Sequence, residues 1–138
     1  MSLKNIKKSV VISLLAALFG AIQMYWFLPS GLSCFDAKSG IIEAIEILMP
    51  IQFIATMIIC VVFQKRTRFY VLIAFLCAFW FLINKHEFTF RHACWSTFLD
   101  SEILYYTFFE SIYPIIVCLS AFILSYVILD QSKIIDSS

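Results

Sequence analysis

The stretch VVISLLAALFGAIQMYWFL, residues 10–28, decides how this chain folds. It runs for 19 residues without a charge. A helix rises about 1.5 Å per residue and the hydrocarbon core of a bilayer is about 30 Å thick, so this run just spans it. Three further runs follow. Ile47–Phe63 has 17 residues, Phe69–Asn84 has 16, and Ile103–Leu129 has 27 broken only by Glu110. The third is short, but Lys65, Arg66 and Lys85 at its ends can snorkel to the headgroups and complete the span. Barrel strands alternate in polarity over about 9–11 residues. These runs are continuously apolar and longer, so they are helices.

Composition agrees. Of 138 residues, 62% are apolar and 14% charged, against about 45–50% and about 25% in a soluble domain. A chain this short cannot hide that excess from water, whereas lipid can cover it. Three Gly and three Pro leave no linker, and the net charge of +1 gives no global reason to expect a nucleic-acid partner. The expected fold is an all-α, four-transmembrane-helix bundle. It forms a single domain over 1–138, with spans near 10–28, 47–63, 67–84 and 105–129. The lipid bilayer is its first partner.

Orientation follows from the loops. If the N-terminus is cytoplasmic, the inside pieces hold Lys4, Lys7, Lys8, Lys65, Arg66, Arg68 and Lys133, seven of the ten basic residues. Positive residues flanking short loops stay inside, so both termini are expected in the cytoplasm. Most acids fall outside; only Asp130 and Asp136 lie inside. The N-terminus imitates a secretory signal, but its apolar run is too long and lacks an A-x-A ending. Gly31-Leu32-Ser33-Cys34 does not make a lipobox. Tyr25, Trp26, Trp80, Trp95, Tyr105 and Tyr106 fall near the outer boundary, as an aromatic belt does.

The five cysteines divide by environment. Cys60, Cys77 and Cys118 sit within spans and read as small apolar residues. Cys34 and Cys94 stand in the two outside loops. In an oxidising periplasm they are expected to bond, closing a loop of about 60 residues worth roughly 4 kcal/mol in the chain-entropy model. Two free thiols too far apart to join are the alternative. No C-x-x-C pair is present, which argues against a redox enzyme. His86, Glu87, His92, Cys94 and Asp100 crowd the third loop without a compact ligand spacing, so no metal site and no cofactor is expected.

Acids near the membrane carry more information. Glu43 and Glu46 are one turn apart on the lead-in to span two, as an interfacial amphipathic approach or an early helical start. Glu110 precedes Pro114 by four residues, and that proline leaves the Glu110 carbonyl without its helical donor. Glu110 is either an intramembrane functional carboxylate or merely interfacial, with span four starting at Ser111. With Glu43 and Glu46 it forms a candidate outer acidic cluster. Gln23 and Gln52 lie in the outer half of spans one and two and can bond to each other or across a subunit interface. Ser13, Ala17 and Ala21, beside Ala16 and Gly20, form a narrow face on span one. Ala121 and Ser125 do the same on span four.

No phosphate-binding Gly loop, H-E-x-x-H or G-x-S-x-G occurs, and no internal repeat. The architecture resembles those of small bacterial transporters, immunity proteins against pore-forming toxins and membrane subunits of phage-defence systems, a likeness of layout without a shared motif. The missing catalytic signatures, the compact loops and the expected loop staple point to a small non-enzymatic multi-pass protein of a bacterial inner membrane, working by partner binding or sensing as a homo-oligomer, and the resemblance adds an immunity or phage-defence role by analogy. A protein partner would meet its basic cytoplasmic face or its acidic outer face. The alternative is a small ion channel or transporter with an acidic outer vestibule. A quinone-linked disulfide-forming enzyme is disfavoured, because each outer loop has a single cysteine.

Overall fold

In a computed structural model the chain is all-helical, with residues 3–29 and 31–131 described. The side chain of Lys4, and all of Lys133 and Asp136, lie outside what is described. The described elements are α1 (Leu3–Phe27), α2 (Ile41–Val62), α3 (Lys65–Arg91), a 3-10 turn at Ala93–Trp95 and α4 (Asp100–Gln131). Each α-helix is long and apolar enough to cross a membrane.

The helix ends follow local chemistry. α1 stops just before Leu28-Pro29, where proline disfavours a helical conformation in the residue ahead of it. α2 starts after Gly40, held extended at φ −91° and ψ 178°. Phe63, with ψ 144°, ends it while its N–H still bonds the Ile59 carbonyl. α4 opens on Asp100 and Glu102, whose charge suits the positive end of the helix dipole. The Glu102 carboxylate also reaches back to accept the Leu99 N–H at 2.9 Å.

The helices outrun the apolar runs. α4 has 32 residues, or about 48 Å, against a core of about 30 Å. Part of α4 therefore extends beyond the hydrocarbon, whereas the 22 residues of α2 rise about 33 Å and little more than span it. Glu43 and Glu46 lie in an early helical start, since α2 is helical from Ile41. Two of the three prolines are accommodated inside continuous helices, Pro50 exposed and Pro114 buried.

α1 packs between α2 and α4, and α4 packs on α3; α3 closes the bundle with lighter contacts to α1 and α2. The close α1–α2 approach has its cause in small residues. Ser9, Ser13, Ala16 and Gly20 are buried on α1, so the narrow face centres on Ala16 and Gly20. Ala17 and Ala21 flank it, half-buried. The opposite faces expose Leu14, Leu18, Ile54, Ile58, Leu124 and Ile128. In water such a surface would drive aggregation, whereas in a bilayer it is the solvated surface. The main apolar core holds Ile12, Leu72, Leu76, Trp80, Cys118 and Phe122.

Candidate functional site

One end of the bundle carries a folded cap built from two loops. The α1–α2 loop turns on itself at Ser33–Ser39. The Ser33 N–H donates to the Ser39 carbonyl at 3.0 Å, and the Ala37 N–H to the Ser33 carbonyl at 2.9 Å. Asp36 accepts the Lys38 and Ser39 N–H groups at 3.1 Å each and the Ser39 hydroxyl at 2.6 Å. The Ser39 hydroxyl, and then those two N–H groups, hold the Asp36 carboxyl down at about 2. Ala37 takes a positive φ of 53° to complete the turn.

This loop is pinned to α3 and the turn that follows it. The Cys34 N–H donates to the Phe90 carbonyl at 3.0 Å. Arg91 Nη1 donates to the Ser39 carbonyl at 2.5 Å, and Trp95 Nε1 to the Leu32 carbonyl at 3.4 Å. Cys34 and Cys94 stand at disulfide distance, their Cα atoms 6.3 Å apart, as expected of the two loop cysteines. Cys60 and Cys118 are buried free thiols, and Cys77 is half-buried.

Beneath the loop, Arg91 Nε also pairs with Glu87 Oε2 at 2.5 Å. The Glu87 side chain is 7% exposed and that of Arg91 10%. His86 Nδ1 approaches the other carboxylate oxygen at 3.1 Å. Expecting a loop after Asn84 put these residues in the wrong element: α3 continues through Arg91. The extra turns hold because the pair is intrahelical at i,i+4 and the docked loop covers it. The available signal was a Glu four residues before an Arg, the favourable order on a helix. Among the described residues, no group of three His, Cys, Asp or Glu side chains is placed to hold a metal ion.

The cap exposes four large apolar side chains among polar ones that include Asp36, Lys38, His92 and Thr97. Phe35 is 83% exposed, Leu99 66%, Trp95 62% and Leu32 50%. The Phe35 ring stacks on Phe90, centroids 5.5 Å apart, and Phe90 meets His86 at 4.5 Å. A hydrogen-bonded base, with Cys34 and Cys94 at disulfide distance, thus presents aromatic groups outward.

A buried polar ladder descends from the cap along α3. Trp80, Asn84, Glu87 and Arg91 follow at intervals of four, three and four and face inward. Asn84 Nδ2 donates to Gln23 Oε1 at 2.9 Å. Trp80 Nε1 donates to Gln52 Oε1 at 3.1 Å, while Gln52 Nε2 donates to the Ala16 carbonyl at 2.7 Å. Gln23 and Gln52 therefore do not bond to each other. Each takes a partner on α3, because α3 faces both α1 and α2 at this depth. Gly20 makes room: a Cβ there would stand 2.4 Å from Gln52 Oε1. Thr107 and Ser111 on α4 are fully buried, and their hydroxyls, like Gln23 Nε2 and Asn84 Oδ1, have no hydrogen-bond partner among the described residues.

The three acids do not converge within one chain. Glu43 and Glu46 are exposed on α2 and Glu110 is exposed on α4, with α1 between those helices. Glu110 lies about one turn beyond Tyr113, whose ring packs edge-on against Trp26 at 5.4 Å. Trp26 is the penultimate residue of α1, so Glu110 stands level with the end of that helix.

The opposite end is basic. Asp130 is held between Lys8 and Lys65, each Nζ 2.7 Å from a carboxylate oxygen. Arg68 Nε donates to the Tyr126 hydroxyl at 3.3 Å, and Nη1 to the Cys60 carbonyl at 3.5 Å. No protein-family model, curated protein or solved structure matches the chain.

Proposed function

We propose that this is a non-enzymatic, multi-pass inner-membrane protein that works by holding its two-loop cap against a protein partner outside the cytoplasm. The exposed Leu32, Phe35, Trp95 and Leu99 on a cross-braced base carry this reading. Ordering a flexible loop on binding costs free energy, and a prefolded face avoids that cost. Exposed apolar groups on such a face are the usual mark of a contact surface. In this reading both termini are cytoplasmic, Cys34 and Cys94 are bonded, and the chain acts as a homo-oligomer, which gives one partner several contacts.

A photo-crosslinking residue at position 35 tests it in cells. A discrete protein adduct at 35, absent at lipid-facing position 58, is expected. Lipid adducts alone at both positions would refute partner binding at the cap.

A second reading is a small ion channel or transporter. It draws on the exposure of Glu43, Glu46 and Glu110, which several copies could gather into an acidic vestibule that concentrates cations. Purified protein in liposomes should then pass cations, and Glu46→Gln with Glu110→Gln should abolish the flux. The binding reading expects no flux above empty liposomes.

A further inference from the structure

The basic end has a second feature besides the Asp130 bridge. A groove of about 410 Å³ opens between the start of α3 and the end of α4. Lys65, Arg66 and Asp130 stand among its lining residues, with Phe69, Tyr70 and Tyr126. The Phe69 and Tyr126 rings pack together with centroids 5.3 Å apart. Tyr70 is 61% exposed and the Lys65 side chain 70%. Arg66 is exposed and forms no ion pair with a described residue.

We propose that this groove seats the phosphodiester headgroup of an anionic phospholipid from the adjoining leaflet. Charge favours an anion: Lys8, Lys65 and Arg66 around Asp130 leave a positive excess among the described residues. Arg66 is the part of it that lines the groove without an ion-pair partner among those residues, because Lys8 and Lys65 are already bound to Asp130. A guanidinium offers paired donors to two phosphate oxygens. The aromatic lining sits where a lipid's glycerol and first methylenes would lie. Cationic pockets between transmembrane helices at the cytoplasmic face are a recurrent solution for anionic headgroups. A zwitterionic choline headgroup would add a cation, and the only carboxylate among the described residues lining the groove is already shared by Lys8 and Lys65. The proposal concerns the end opposite the cap and stands apart from partner binding.

The test uses the full chain in detergent, with bound lipid counted by native mass spectrometry. Phosphatidylglycerol should be retained at least about five-fold over phosphatidylcholine, the effect of one cation near a membrane surface. Arg66→Gln should remove that preference, and Lys38→Gln at the cap end should leave it intact. Inorganic phosphate at the same concentration should not displace the lipid. Equal retention of the two lipids by the unaltered protein would overturn the proposal, whatever the variants do. So would a preference that survives in Arg66→Gln, or that falls equally in Lys38→Gln. Displacement by inorganic phosphate would mark a free-anion site instead.

Discussion

Gly20 shows how one missing side chain organises the centre of the bundle. Gln52 lies in the space a Cβ would occupy, and from there reaches both the Ala16 carbonyl and Trp80. Gly20→Ala must displace the amide and strand two buried partners. The expected cost is about 1–3 kcal/mol, toward the low end if membrane-embedded partners can substitute. Unfolding in mixed SDS micelles measures it. Ile22→Ala, on the lipid-facing side of the same helix, should cost much less; equal losses would show that the Gln52 bonds contribute nothing. At Asp36 the folded pKa is depressed from an ordinary value of 3.8 to about 2. Whatever this carboxylate contributes to the turn is fully present above the ordinary value and is lost as pH falls through about 2. Its carboxyl carbon chemical shift should therefore titrate near pH 2; a midpoint near 4 would mean that the Ser39 bonds do not form in solution. Sequence reasoning reached Gln23 and Gln52 as intramembrane polar groups but not their partners. Trp80 and Asn84 read as a boundary aromatic and a span terminus, and only the packing of α3 turned them inward.

At the scale of elements, the four apolar runs marked the helices because a bilayer demands about 20 apolar residues of each. Their ends were less legible, since polar residues continue a helix once something covers them. The last turns of α3 are the example. Glu87 and Arg91 neutralise each other, and Arg91 also clips the Ser39 carbonyl. Arg91→Met should leave Glu87 buried with only the exposed His86 ring beside it, at a cost of roughly 3 kcal/mol. Hydrogen exchange should report it as fast exchange across the 33–39 turn with the spans unchanged. Protection retained in the turn would show that Arg91 does not anchor the loop. The nearness of Cys34 to Cys94 was legible because no other cysteine sits in those loops. Non-reducing peptide mapping should recover the two joined. Free, alkylatable thiols at both positions after oxidising growth would remove the staple and the roughly 4 kcal/mol assigned to it. Cys118→Ala should cost only a small cavity by comparison.

For the whole molecule, the two ends differ in kind. One is a braced cap with exposed aromatic groups, and the other a basic rim tied through Asp130. Which end faces the cytoplasm is set by the insertion machinery's response to positive charge, and the proposed function depends on it: a partner outside the cytoplasm can meet only an external cap. The fold class was legible because lipid imposes so few solutions on an apolar chain. Glu43 and Glu46 stand on α2 and Glu110 on α4, with α1 packed between those helices. The most direct test of the account is thiol labelling in intact cells with a membrane-impermeant reagent. Lys38→Cys lies on the cap and Thr67→Cys at the basic end, both at exposed positions. The account requires Lys38→Cys to label in intact cells and Thr67→Cys to label only after the membrane is opened; the reverse pattern would contradict it.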